Sequence, residues 1–295
     1  MAVEEMTVAR RAVEEDFNPV YHQYGPHRAG LPPLAGYFRE LWHRREFAAE
    51  LSKASLRGAN INTFFGQAWL VLNPLLLAAI YYLLVTIIRQ EHDPAFFTHL
   101  TCSLFAFTLV QTAVTSGATS VTGSGKLVLN TAFPRLLIPL SAVRTAFFRF
   151  LPTIPVYLIL HAISGNPWSP LMLLSLYFLL MMVIFSMGLA AIFATLQVYF
   201  RDTSSFLPYF VRLWMYLSPV LWAPEMLNNM GRTIRFLVEL NPMYAMLGGY
   251  TDLLQEGRMP LDYMWWASAA WAIGTAAVGF LFFMSREREF AVRLV

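Results

Sequence analysis

Charge is scarce in this sequence. Asp, Glu, Lys and Arg make up 13% of its 295 residues, against roughly 25% in an ordinary soluble domain. Lysine is nearly missing, with only Lys53 and Lys126, and cysteine is reduced to Cys102. A single cysteine excludes an intrachain disulfide and a cysteine-based metal cluster. The first sixty or so residues hold no apolar core flanked by a small-residue cleavage site, so no removable signal peptide is expected and a cytoplasmic N-terminus is.

Apolar residues are abundant at 57%. Several apolar stretches exceed the roughly 18 residues that separate a membrane span from a buried core helix. Their runs of Leu, Ile and Phe lack the alternation of a lipid-facing barrel strand. The expected fold is therefore an all-α integral membrane protein: six transmembrane helices, an N-terminal interfacial amphipathic helix and a re-entrant helix pair before the last span.

Residues 1–35 read as a mobile cytoplasmic tail and residues 36–295 as one transmembrane domain. Within it, residues 37–57 place Phe38, Leu41, Trp42, Ala48 and Leu51 near one helix face but carry too much charge to cross a bilayer, which suits an interfacial helix. The spans are expected at about 68–88, 96–116, 136–163, 171–200, 206–222 and 264–284. Residues 117–135 form a loop. Residues 223–263 hold short apolar pieces broken by Pro224, Asn241-Pro242, Gly248-Gly249 and Gly257. Such irregular backbone at membrane depth is tolerated only against protein or a water-filled cavity, which suggests an outer re-entrant segment.

With both ends cytoplasmic, the inner segments hold Arg10, Arg11, Arg28, Arg39, Arg44, Arg45, Lys53, Arg57, Lys126, Arg135, Arg201, Arg286, Arg288 and Arg293. The outer ones hold only Arg89, Arg232, Arg235 and Arg258. The positive-inside rule favours this topology and makes the 117–135 loop cytoplasmic.

Motifs of covalent chemistry fail on inspection. "TGSGK" at Thr122–Lys126 has Ser120 where a phosphate-binding loop needs its first Gly and Leu127 where it needs Ser or Thr, and no strand precedes it. His99 and His161 have no carboxylate at helical spacing, and Glu91, His92 and Asp93 read as a solvated turn. No catalytic residue, metal site or cofactor is expected in this chain. Arg144 and Arg149 stand out instead, because arginine inside a span is expensive unless it snorkels. From an entry at Pro139, Arg144 reaches the interface, while Arg149 lies about 15 Å along the helix. It should face protein, water or an anionic ligand. Phe105, Phe107, Tyr209, Trp214 and Tyr216 lie deep in their spans and are candidates to line a passage.

Four stretches carry a resemblance: "FFGQAWLVLNPLLL", "LVLNTAFPRLLIPLSAV", "VYFRDTSSFLPYFVRLWMYLSPVLW" and "ELNPMYAMLGGYTDLLQEG". In this order they resemble the membrane permease of ABC-type polysaccharide exporters, the family that exports O-antigen, teichoic acid and capsule. The resemblance implies a homodimer that pairs with two copies of a cytoplasmic ABC ATPase subunit, which would hold the ATP and Mg. It implies that "GKLVLNTAFPR" docks on that ATPase, with Leu127, Asn130, Phe133, Pro134 and Arg135 as coupling residues. A lipid-linked glycan would pass through an aromatic-lined channel. Arg44, Arg45, Arg57, Arg144 and Arg149 are candidates for an anionic lipid or diphosphate.

The expectation is a transport subunit, not an enzyme, in the bacterial cytoplasmic membrane. The glycan stays open between cell-wall galactan, O-antigen and teichoic acid, and no nucleic acid is expected among the partners. Two alternatives remain: an ABC permease for drugs or small lipids, and a membrane-bound glycosyltransferase-type enzyme, which would need an acidic cluster.

Overall fold

A computed structural model describes residues 31–58, 64–90, 94–222 and 231–294. Most of the expected tail, the Glu91-His92-Asp93 turn and the first part of the expected re-entrant segment lie outside the described residues. The regular elements described are all helical. They are α1 (Leu34–His43), α2 (Arg45–Gly58), α3 (Trp69–Arg89), α4 (Pro94–Gly123), α5 (Gly125–Asn130), α6 (Leu137–Phe150), α7 (Thr153–Ile163), α8 (Ser175–Tyr199), α9 (Thr203–Leu217), α10 (Arg232–Glu239), α11 (Pro242–Leu254), α12 (Asp262–Arg286) and α13 (Phe290–Arg293).

Five helical stretches among the described residues are long and apolar enough to cross a membrane: Gly66–Ile88, Ala95–Gly123, Leu137–Ile163, Pro170–Tyr199 and Asp262–Arg293. The chain is a multi-pass helical membrane protein. The third stretch is interrupted between α6 and α7, where Pro152 brings no N–H to the helical ladder. The fifth span expected from sequence corresponds to α9, whose 15 residues reach only about 22 Å. It ends there because Pro219 forces the preceding Ser218 into an extended conformation.

α4 is the central helix. Its apolar window is 78% buried, against 11% for the first stretch. Its 30 residues extend about 45 Å, well beyond a hydrocarbon core of about 30 Å. The C-terminal part, from Gln111 to Gly123, is rich in Thr and Ser, and its hydroxyls bond back to the helix: Thr115 to the Gln111 carbonyl at 2.8 Å and Ser120 to the Gly117 carbonyl at 2.6 Å. This satisfies the polar groups locally, so the helix continues through Gly117–Gly123, where the composition suggests loop.

α8 and α12 pack backbone to backbone. A Cβ added to Gly188 would overlap the Thr275 carbonyl, and one added to Gly279 would overlap the Gly188 carbonyl. Small residues permit this close approach, on which membrane helices rely where burial supplies little driving force. α11 starts at an Asn241 cap with Pro242 as its first residue, and is buried from Met243 to Leu253.

A second, smaller core gathers Tyr37, Val128, Leu136, Ile138, Phe283 and Phe290. It joins the first described helix, the segment after α4 and the C-terminal turns. The expected interfacial helix is two helices, α1 and α2, broken at Arg44.

Candidate functional site

Two regions bring sequence-identified residues together, the α5 segment and a cleft between α4 and α6. In the first, Leu127 is half-buried, Asn130 is exposed, Phe133 is half-buried and Pro134 is buried. Phe133 packs on Phe47 of α2 with ring centroids 4.8 Å apart. The Arg135 guanidinium donates to the Glu287 backbone carbonyl, and Arg44 of the α1–α2 break donates to the Ala132 carbonyl at 2.7 Å. The segment is therefore held from both sides, by α1–α2 and by the C-terminal turns. Its outward face is formed by Lys126, Leu129, Asn130 and Thr131. Leu129 is a large apolar residue exposed here, at 46%. It was missed because the phase of a six-residue helix is not readable from its sequence.

The cleft consists of three cavities along α4 that share lining residues. One of about 330 Å³ lies toward the α5 end and is lined by hydroxyls of α2, α4 and α6, including Ser55, Ser116, Ser120 and Ser141. A second of about 200 Å³ is lined by Leu70, Asn73, Phe105, Leu109 and Phe150. Among the described residues, only Thr112 and Arg149 line both. A third of about 350 Å³ shares Phe105, Phe150 and Thr153 with the second and continues among Leu158, Leu176 and Leu179. The wall thus passes from hydroxyls, through an arginine, to aliphatic and aromatic side chains.

Arg149 is the polar residue that this wall leaves unsatisfied. Its Nε is buried and has no hydrogen-bond partner, and no Asp or Glu is among the described residues lining either cavity it touches. Among the neighbouring hydroxyls, Ser116 donates to the Thr112 carbonyl and Thr145 bonds Ser52 and the Ser141 carbonyl. The other arginine candidates do not converge on it. Arg44 pairs with Glu40 at 3.1 Å, Arg45 lies 4.9 Å over the Trp42 ring, Arg57 is exposed on α2 and Arg144 lies 5.2 Å over the Phe148 ring.

The aromatic candidates divide into two sets. Phe107 is fully buried and its ring meets Trp214 at 6.2 Å inside the helix packing, while Phe105 is buried at the cavity wall. Tyr209 and Tyr216 are exposed on α9, where Arg212 stands between them on the same side and is also exposed. Arg212 escapes a reading that counts charges only in loops. An arginine inside an expected span was the available signal. Among the described residues no three His, Cys, Asp or Glu side chains gather to hold a metal.

No protein-family model matches the chain. It is similar to an O-antigen export system permease protein RfbA of Klebsiella pneumoniae, 29% identical over 69% of this chain and 78% of the relative. It is also similar to the O-antigen export system permease protein RfbA of Myxococcus xanthus, 27% identical over 86% of this chain and 97% of that one. The resemblance carried by the four sequence stretches is borne out by these relatives.

Proposed function

We propose that this chain is the permease subunit of an ATP-driven exporter that moves a lipid-linked polysaccharide across the bacterial cytoplasmic membrane. The observation that carries this reading is similarity over nearly the whole length of a relative named as an O-antigen export permease. A multi-pass helical architecture with a polar cleft is consistent with it. In this reading the chain works as a homodimer with two copies of a separate ATPase subunit, both termini are cytoplasmic, and α9 with the turn after it supplies the sixth crossing. α10 and α11 form the outer re-entrant pair.

ATP binding and hydrolysis in the partner push on the α5 segment. Because Arg135 and Phe133 tie that segment to the C-terminal turns and to α2, the push reaches α12 and the interfacial helices together. The exposed α9 face, with Tyr209, Arg212 and Tyr216, faces the passage between the two copies. Flat rings and a guanidinium suit a hydrated, partly anionic glycan. The glycan is O-antigen-like or a cell-wall galactan, carried on a lipid.

The test is purification of the tagged chain from its native membrane together with an ATPase subunit in equal copy number. Reconstituted vesicles should then translocate lipid-linked glycan only with hydrolysable ATP. A chain that is stable and transports with no ATPase bound or needed would remove the reading.

A further inference from the structure

The position of Arg149 is what the cleft does not explain by itself. Thr112, which shares the waist of the cleft with it, stands about 27 Å along α4 from Pro94 at 1.5 Å per residue. With a hydrocarbon core of about 30 Å, a helix entering at Pro94 brings Thr112 and Arg149 close to the opposite boundary, where lipid phosphates lie. Counted from Pro94 instead of Pro139, Arg149 lies near that boundary rather than deep in the core. Ser141 and Thr145 of α6 line the cavity beside the Thr- and Ser-rich end of α4.

A half-buried arginine with a buried, unpartnered Nε and no carboxylate among the described lining residues carries a desolvation cost that an anion removes. Arginine's planar fork suits a phosphate oxyanion, with two parallel charge-assisted hydrogen bonds. The surroundings set the rest of the ligand. On one side of Arg149 the cavity is walled by hydroxyls, and on the other it opens among Phe105, Leu109 and Phe150 and continues into the aliphatic cavity beyond.

We infer that the waist formed by Arg149 and Thr112 binds the phosphate of an amphipathic lipid, whose chain lies in the apolar cavities toward α7 and whose polar head extends into the hydroxyl-walled one. This deepens the transport reading and rests on it for the identity of the lipid, since the phosphate belongs either to the carrier of the exported glycan or to an ordinary inner-leaflet phospholipid.

The full-length chain, purified in neutral detergent without any ATPase, is titrated with polyprenyl phosphate, polyprenol, phosphatidylglycerol and phosphatidylcholine, and bound lipid is counted by native mass spectrometry. Polyprenyl phosphate should bind the wild type, and Arg149→Gln should weaken it about tenfold or more, as expected for lost hydrogen bonds to a charged group. Arg149→Lys should fall between them, and polyprenol should be indifferent to the change. Much tighter binding of polyprenyl phosphate than of phosphatidylglycerol assigns the phosphate to the carrier, and equal binding assigns it to the phospholipid. Either result supports the site.

Unchanged binding of both phosphate lipids to folded Arg149→Gln overturns it. If that variant does not fold, Thr112→Val decides in the same way, by weakened or unchanged binding. Since no ATPase is present, loss of the site would leave the transport reading standing. Absence of an ATPase partner in native membranes would remove the transport reading while leaving this binding intact.

Discussion

The Tyr37 hydroxyl donates a 2.6 Å hydrogen bond to the Glu287 carboxylate across 250 positions of chain, binding the first described helix to the turn after α12. Burial, with the adjacent carboxylate, pushes the Tyr37 phenol well above its ordinary range, so it stays a neutral donor at any physiological pH. Tyr37→Phe keeps the ring in the small core but removes the donor. The variant should lose about 1–3 kcal/mol, the usual cost of leaving a buried acceptor short of a partner. A detergent thermal melt indistinguishable from wild type would show that the bond contributes nothing.

The contact between α8 and α12 predicts opposite results for two glycines on one helix. Gly279→Ala puts a methyl group into the Gly188 backbone and must push the helices apart, at about 1–3 kcal/mol for overpacking. Gly274→Ala meets nothing within 4 Å and should be neutral or stabilising by about 0.5–1 kcal/mol, because glycine is a poor interior helix residue. Melting temperatures of the two variants, measured side by side, should diverge. Equal shifts would argue against backbone contact between α8 and α12.

How much of this was legible in the sequence depends on which interaction decided each feature. Apolar length reveals the membrane helices because that property is local. The continuation of α4 through Gly117–Gly123 is hidden, since a Thr/Ser-rich stretch reads as loop until Ser120 and its neighbours are seen bonding back to their own helix. The break at Arg44 is stabilised by pairing with Glu40 and by a bond to Ala132, which is distant in sequence. Arg149 was conspicuous as a charge in a span. Its cleft was not, because the walls come from separate helices that only tertiary packing brings together.

The α5 segment separates two roles that its sequence runs together. Leu129 projects outward and Leu127 is half-buried. Leu129→Asp should leave the stability of the permease within about 0.5 kcal/mol of wild type, as for most surface changes, while weakening association with the ATPase subunit. Arg135→Glu should do both kinds of damage, because it replaces the donor to the Glu287 carbonyl with another acceptor. Pull-down of the ATPase and a thermal melt distinguish the two variants. Full ATPase binding by Leu129→Asp would exclude this face from docking.

Asn241 offers the sharpest test of how α9 and α11 are set against each other. Its Oδ1 accepts from the Met243 amide at 3.1 Å and from Trp214 Nε1 at 2.8 Å, and its Nδ2 donates to the Leu217 carbonyl and to Ser218 Oγ, both at 3.1 Å. One side-chain amide thus caps α11 and holds the end of α9 against it, using both its acceptor and donor capacity. Asn241→Ala removes all four bonds, and with the cap alone usually worth about 1 kcal/mol, the total loss should reach about 2 kcal/mol or more. Asn241→Asp keeps the acceptor for Met243 and Trp214 but turns a negative oxygen toward the Leu217 carbonyl, so it should fall between wild type and Ala. The measurement is a thermal melt combined with proteolysis at the α9–α11 connection. If Asp matches wild type, the Nδ2 bonds to α9 carry no weight and the cap alone fixes α11.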